Sequence, residues 1–234
     1  MTERSSESSP PSKSPYFRYY RALLKAFGPQ RWWPGRTTFE VIVGAILTQS
    51  ISWKNVETAM SALRGARLLH PRRLRRTPRS RVARLIRSTG YYNQKAGKLR
   101  AFLVFLEREH QDDLEHLLEQ PAGILRSQLL RVQGIGPETA DSIVLYASGK
   151  PSFVVDAYTR RVFARHALIR GGEPYEEIRR LLQSNLPRSA RIYNEYHALL
   201  VRVGKDRCRR RAPLCSGCPL EAHLPPGGPH RVSV

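Results

Sequence analysis

Residues 129–161 read LLRVQGIGPETADSIVLYASGKPSFVVDAYTRR. Leu125, Leu129, Leu130 and Val132 recur at helical spacing and lead into Gln133-Gly134-Ile135-Gly136. Pro137, Glu138 and Thr139 then open a second helical pattern, with Ala140, Ile143, Val144 and Ala147 on its inner face. The reading is helix, tight hairpin, helix. Glycines at 134 and 136 are expected to take backbone angles closed to other residues and to leave their N–H groups uncovered, and Pro137 suits the first turn of a helix. Uncovered N–H groups at a helix N-terminus attract phosphate. A Gly-x-Gly pair is also found in plain turns, so the residues that follow it have to decide.

Those residues are Phe153-Val154-Val155-Asp156-Ala157-Tyr158-Thr159-Arg160-Arg161, an apolar run that delivers one carboxylate to the start of an Arg-rich helix. Asp156 reads first as an N-cap. A carboxylate that caps a helix is also rigidly aimed, so capping and chemistry are compatible. Together, the hairpin and an aspartate about twenty residues beyond it resemble the helix-hairpin-helix DNA glycosylases of the endonuclease III superfamily. In that family the aspartate in this place is catalytic.

The resemblance extends over residues 16–218. The run from Phe39 to Ser50, FEVIVGAILTQS, looks like the family's buried first helix of the hairpin domain, ending in the turn whose glutamine, here Gln49, can fill the gap left by an extruded base. Residues 90–96, GYYNQKA, look like its G-[YF]-[YF]-x-x-K-A segment. The fold implied is all-α, with two helical lobes, a helix-hairpin-helix motif and a DNA- and base-binding cleft between the lobes. Boundaries are expected at a disordered tail (1–15), a core (16–205) and a cysteine loop (206–224), followed by a short tail (225–234). Within the core, the hairpin lobe takes about 40–150 and the second lobe 16–39 plus 151–205. Helical periodicity elsewhere, at Leu114, Leu117 and Leu118 and again at Ile178, Leu181 and Leu182, agrees with this, and strand-like alternation is lacking.

Charge supports the same partner independently. Forty Lys and Arg against nineteen Asp and Glu give a net charge of +21, and displacing counterions from DNA phosphates is the usual use of such an excess. The arginines cluster in Arg72–Arg87 and again in Arg207–Arg211. No stretch has membrane-spanning length or the pattern of a secretory signal. The expectation is a cytoplasmic monomer, nucleoid-associated if prokaryotic, acting on double-stranded DNA with damaged bases and making no membrane contact.

Two departures refine the reading. In the bifunctional enzymes the helix after the glycines carries a lysine that attacks the sugar and permits strand cleavage. This chain has Glu138 there, and a carboxylate cannot form an imine. Asp156 with water remains, a monofunctional hydrolysis in which a fixed carboxylate stabilises the oxocarbenium-like sugar. Arg31-Trp32-Trp33-Pro34 and the turn around Gln49 are similar to the 3-methyladenine DNA glycosylases of this group. That likeness implies an alkylated purine held by Trp32 and Trp33, with Gln49, Glu138 and Lys205 around the base pocket. Gly134, Gly136, Thr139 and Arg160 are the DNA-contacting candidates, and Gln49 also reads as a plain helix cap. A bifunctional enzyme in which Lys150 or Lys205 replaces the hairpin lysine stays open, as does a non-catalytic binder of distorted DNA.

The second departure is Cys208-x6-Cys215-x2-Cys218, which reproduces three of the four positions of the family's [4Fe-4S] loop. The fourth position is Leu224, which cannot ligate, and His223 beside it is the substitute ligand to test. An intact cluster, a zinc or partial site and a metal-free loop all remain open on sequence. A disulfide is disfavoured in a reducing compartment.

Overall fold

The structure, a computed structural model, describes residues 14–30, 32 and 35–232. Trp33 and most of the segment read as a disordered tail lie outside the described residues. Regular structure among the described residues is helical throughout, as the periodicity predicts. In chain order the α-helices are α1 (Pro15–Phe27), α2 (Thr38–Leu47), α3 (Trp53–Gly65), α4 (Pro71–Arg76), α5 (Arg79–Leu85), α6 (Tyr92–His110), α7 (Leu114–Glu119), α8 (Ala122–Arg131), α9 (Pro137–Ser142), α10 (Ala157–Arg165), α11 (Tyr175–Asn185) and α12 (Ala190–Asp206). Two short 3-10 turns, Arg87–Thr89 and Glu221–His223, and a π-helical turn, Ile143–Ala147, complete the set.

The described residues divide into two compact units, one within Trp33–Ser152 and one within Met1–Trp32 and Phe153–Val234. The first is built around α2, whose residues from Phe39 to Leu47 are all buried. A helix apolar on every side belongs at the centre of a core, and α3, α6, α9 and the π-helical turn pack around it. Its one charge, Glu40, is buried but well met: Arg64 donates Nε and Nη2 to the carboxylate at 3.3 and 2.8 Å, and the Arg36 N–H adds a third bond at 3.1 Å. The helix starts where Thr37 Oγ1 accepts the Glu40 N–H, half of a capping box. Its far end is closed by Lys95, whose buried Nζ donates to the carbonyls of Leu47 and Thr89 at 2.9 and 2.6 Å.

In the other unit α10 and α1 pack on α12. Tyr16, Tyr19, Phe163 and Tyr196 meet edge-on with ring centroids 5.5 to 6.4 Å apart, the arrangement favoured by aromatic quadrupoles. Phe153-Val154-Val155 runs buried and extended beside them. Without a strand partner, its N–H groups are taken by side chains, Phe153 by Gln183 Oε1 at 2.9 Å and Val155 by the Tyr175 hydroxyl at 3.3 Å.

Four local expectations need correction. α1 starts at Pro15, within the segment read as tail, because proline suits the first turn and buried Ser14 donates to Asn185 Oδ1. Residues 35–39 group with the hairpin unit, drawn there by the bonds of Arg36 and Thr37 to Glu40. Leu130 is 36 % exposed, so α8 faces the core with Leu125 and Leu129 and leaves Leu130 outside. The helix after the hairpin is α-helical only through Ser142 and widens into the π-helical turn over Ile143–Ala147.

Candidate active site

Asp156 is the N-cap of α10, and its Oδ1 accepts the Thr159 N–H at 2.7 Å. Its Oδ2 lies 3.5 Å from Nε2 of His197 on α12, and the carboxylate is 13 % exposed. Burial alone would raise the Asp156 carboxyl, but the facing imidazole and the helix N–H outweigh it and hold the group below the ordinary carboxylate value. The result is an ionised carboxylate of fixed direction, suited to stabilising positive charge on a nearby sugar. Trp32 stands on the other side of His197, with ring centroids 5.5 Å apart and planes inclined by 36°. Asp156, His197 and Trp32 thus form one cluster.

Of the remaining candidates in this unit, Arg160 donates Nη1 to the Glu173 carbonyl at 2.8 Å, an intramolecular use. Lys205 is exposed in the last turn of α12. Tyr158 packs close on Gly204, where an added Cβ would come within 2.5 Å of its ring, and the Arg161 guanidinium lies 5.0 Å from the ring centroid.

The hairpin unit holds the other group of candidates. Gly134 has φ +87°, the left-handed conformation the sequence calls for, and an added Cβ would strike the Lys98 stem at 2.4 Å. Gly136 does not need to be glycine: its φ of −89° is open to any residue, and a Cβ there meets nothing within 4 Å. Gln49 lies beyond the end of α2 and does not cap it; its Nε2 donates to the Gly134 carbonyl at 3.2 Å and to Thr139 Oγ1 at 2.9 Å, and its Oε1 accepts from Lys98 Nζ. Thr139 is accordingly buried, propping the hairpin with its hydroxyl rather than offering it outward. Glu138 is exposed in the first turn of α9. Below the hairpin, buried Asp141 receives a fork from Arg126 Nε and Nη2 at 2.8 and 3.1 Å, which ties α8 to α9.

The cysteine loop gathers three free thiols, Cys208 buried and Cys215 and Cys218 half-buried. Burial pushes the Cys215 and Cys218 thiols up, and neighbouring Cys208 adds to the effect. His223 does not join them. Its ring stacks on Tyr19 at 5.1 Å and its carbonyl accepts the Tyr19 hydroxyl at 2.9 Å. Among the described residues no three His, Cys, Asp or Glu side chains converge on a metal position. With Leu224 in the fourth place and His223 turned to Tyr19, the residues present do not fit the four-ligand set of a [4Fe-4S] cluster. The loop has a protein brace instead: Arg161 donates to the carbonyls of Cys208 and Gly204, and Arg165 to Cys208 Sγ and the carbonyls of Arg209 and Arg210.

His197 against Asp156 and Lys98 against Gln49 are the neighbours that sequence reasoning misses. His197 sits in Tyr193-Asn194-Glu195-Tyr196-His197 on an apolar helix face, and nothing local ties it to an aspartate on another helix. Lys98 follows Lys95, Ala96 and Gly97 within α6, and nothing local marks it.

Residues 43–188 match the HhH-GPD superfamily of base excision DNA repair proteins. The chain belongs to that family. It is a DNA repair glycosylase, an enzyme that cleaves the bond between base and sugar. It is 43 % identical to the putative DNA repair glycosylase MJ1434 of Methanocaldococcus jannaschii over 88 % of this chain and 93 % of that protein. Endonuclease III of Sulfolobus acidocaldarius is 27 % identical over 78 % of the glycosylase and 79 % of its own length. Among solved structures, H. pylori 3-methyladenine DNA glycosylase (MagIII) bound to 1,N6-ethenoadenine superposes with a TM-score of 0.71 at 27 % identity, covering 81 % of the glycosylase and 97 % of that chain. An endonuclease III–DNA complex shares the fold with a TM-score of 0.77 at 23 % identity, covering 90 % and 94 %.

Proposed function

We propose that this glycosylase is monofunctional: it hydrolyses the N-glycosidic bond of damaged bases in double-stranded DNA, with alkylated purines as the preferred class, and leaves an abasic site. The observation that carries the reading is the ionised, doubly contacted carboxylate of Asp156 at the start of α10. As the bond breaks, positive charge grows on the deoxyribose, and a carboxylate already fixed in place stabilises it without reorganising and orients the attacking water.

Three further points support it. Glu138 stands where an imine-forming lysine would have to be. Of the two substitute amines, Lys150 is ill suited because its Nζ is bonded to the Leu118 carbonyl, and the exposed Lys205 is the one that borohydride trapping would reveal. Trp32 offers an aromatic face beside the Asp156 cluster, and a base that carries positive charge before cleavage is held by such faces for about 0.5–2 kcal/mol each. The 3-methyladenine glycosylase among the structural relatives agrees with this substrate class. The basic surface and the hairpin supply the phosphate contacts, Gln49 contributes from the turn after α2, and the glycosylase works as a monomer. No step runs through the cysteine loop, which Arg161 and Arg165 brace.

The test uses duplexes containing methylated purines and, separately, thymine glycol. Breaks on the methylated duplex only after alkali are expected, and they should disappear in Asp156→Asn while DNA binding persists. Direct breaks at thymine glycol, with a borohydride-trapped adduct, would mean that another lysine forms the imine and that the reading from Glu138 is wrong.

A further inference from the structure

Both oxygens of Asp156 are engaged by the protein itself. The Thr159 N–H on Oδ1 comes from the helix that Asp156 caps, and by itself leaves the carboxylate free to swing about its own bond. The contact to Oδ2 comes from a different helix. His197 is 5 % exposed on α12, and its ring is confined between the carboxylate at 3.5 Å and the Trp32 indole at 5.5 Å. A second partner on an independent, packed element is what removes the remaining rotation.

We propose that His197 is a positioning residue for Asp156, fixing the direction of the carboxylate, and that Trp32 acts through it by holding the imidazole in place. The proposal rests on the reading of Asp156 as the catalytic carboxylate. No proton transfer from His197 to substrate is involved. A carboxylate held by a helix N–H and an imidazole is a weak base and a strong fixed charge, which suits electrostatic support of the developing sugar cation better than general-base attack. Trp32 gains a second role: besides offering an aromatic face, it is part of the support of the reacting group.

Removing His197 also removes the main influence that lowers the Asp156 pKa, so the burial that opposes it should show. The other charged or titratable groups near the carboxylate lie on its own helix, α10. Tyr158 on α10 is a phenol pushed above its usual value by burial and by the Asp156 charge, the Arg161 guanidinium covers its ring, and Arg160 is turned to Glu173. On α12 the facing group is His197, and Trp32 brings no titratable atom.

The experiment is single-turnover excision on methylated-purine duplex as a function of pH, with affinity for an uncleavable duplex measured alongside. His197→Ala is expected to slow excision about 10- to 100-fold, the usual size of a small misplacement, to move the acid limb of the rate profile to higher pH, and to leave affinity unchanged. His197→Gln, which restores an N–H donor, should recover part of the rate, and Trp32→Phe should shift the limb the same way by less. Wild-type rate and limb in His197→Ala would overturn the proposal. So would a slower His197→Ala whose limb does not move and which glutamine does not improve, since that is the signature of packing alone. Should alanine unfold the chain, an unmoved acid limb in both His197→Gln and Trp32→Phe overturns it. Asp156→Asn, run in parallel, separates the two levels: retained excision there sinks the reading of Asp156 itself, whatever the His197 variants do.

Discussion

Tyr91, just before α6, is 73 % exposed and has φ +43°, a conformation that costs a bulky side chain about 1–2 kcal/mol. With so much of the ring exposed, packing among the described residues does little to offset this, and an exposed aromatic on a nucleic-acid enzyme offers a face on which bases can stack. Tyr91→Gly should therefore stabilise the fold by about 0.5–1 kcal/mol in urea unfolding, since glycine takes this backbone without strain, while weakening DNA binding. Lys95 gives a pH signature. Burial, and then the charge of Lys98, lower its pKa to about 8, against about 10.4 in an unfolded chain. Between those values the unfolded state binds more protons, so this group's contribution to stability rises with pH across the window and is least favourable below it. The raised pKa values of Tyr16, Tyr19, Cys215 and Cys218 act in the opposite sense. They are common to wild type and Lys95→Met, so the difference in urea midpoint between the two proteins should move in favour of wild type from neutral to alkaline pH. At this scale the sequence reveals residues with a local signature, such as Asp156 at a helix start. It hides His197, whose partner is distant in the chain, and it misleads on His223, whose neighbour in space is Tyr19.

The hairpin separates two glycines that look alike on paper. Gly134 needs a positive φ and leaves room for the Lys98 stem, whereas Gly136 is an extended N-cap with open space around it. Gly134→Ala should cost about 1–2 kcal/mol in unfolding free energy and displace Lys98 from Gln49; Gly136→Ala should change stability by less than about 0.5 kcal/mol. Equal losses would show that the hairpin tolerates neither change for reasons beyond backbone angle. Helix existence was legible here because apolar spacing reports it directly. The π-helical turn at Ile143–Ala147 was not, since the same residues satisfy an α pattern. The pairing of Gln49 with Lys98 and Thr139 depends on three segments meeting, information that no single window holds.

For the whole molecule, a net charge of +21 makes ionic strength the strongest external lever on binding. If six or more phosphates are contacted, affinity for undamaged duplex should fall about 10³-fold or more between roughly 50 and 200 mM salt. A flat dependence would assign the arginines to work within the protein, as Arg126, Arg161 and Arg165 already do. Class and family were readable because hairpin, aspartate and charge agree. The division of the chain was less so, since residues 35–39 follow Glu40 and its arginines, which composition does not announce.

The unit that carries Asp156 joins the first described helix to the last three, while the hairpin unit is one uninterrupted stretch. Synthesis runs in one direction, so α1 leaves the ribosome long before α10 and α12, the helices that complete its surroundings, have been made. The hairpin unit can mature on the ribosome as soon as it emerges. Asp156 meets His197 only once α12 has been made, so a chain stalled with the hairpin unit complete through Ser152 would own a hairpin but lack the Asp156–His197 pair.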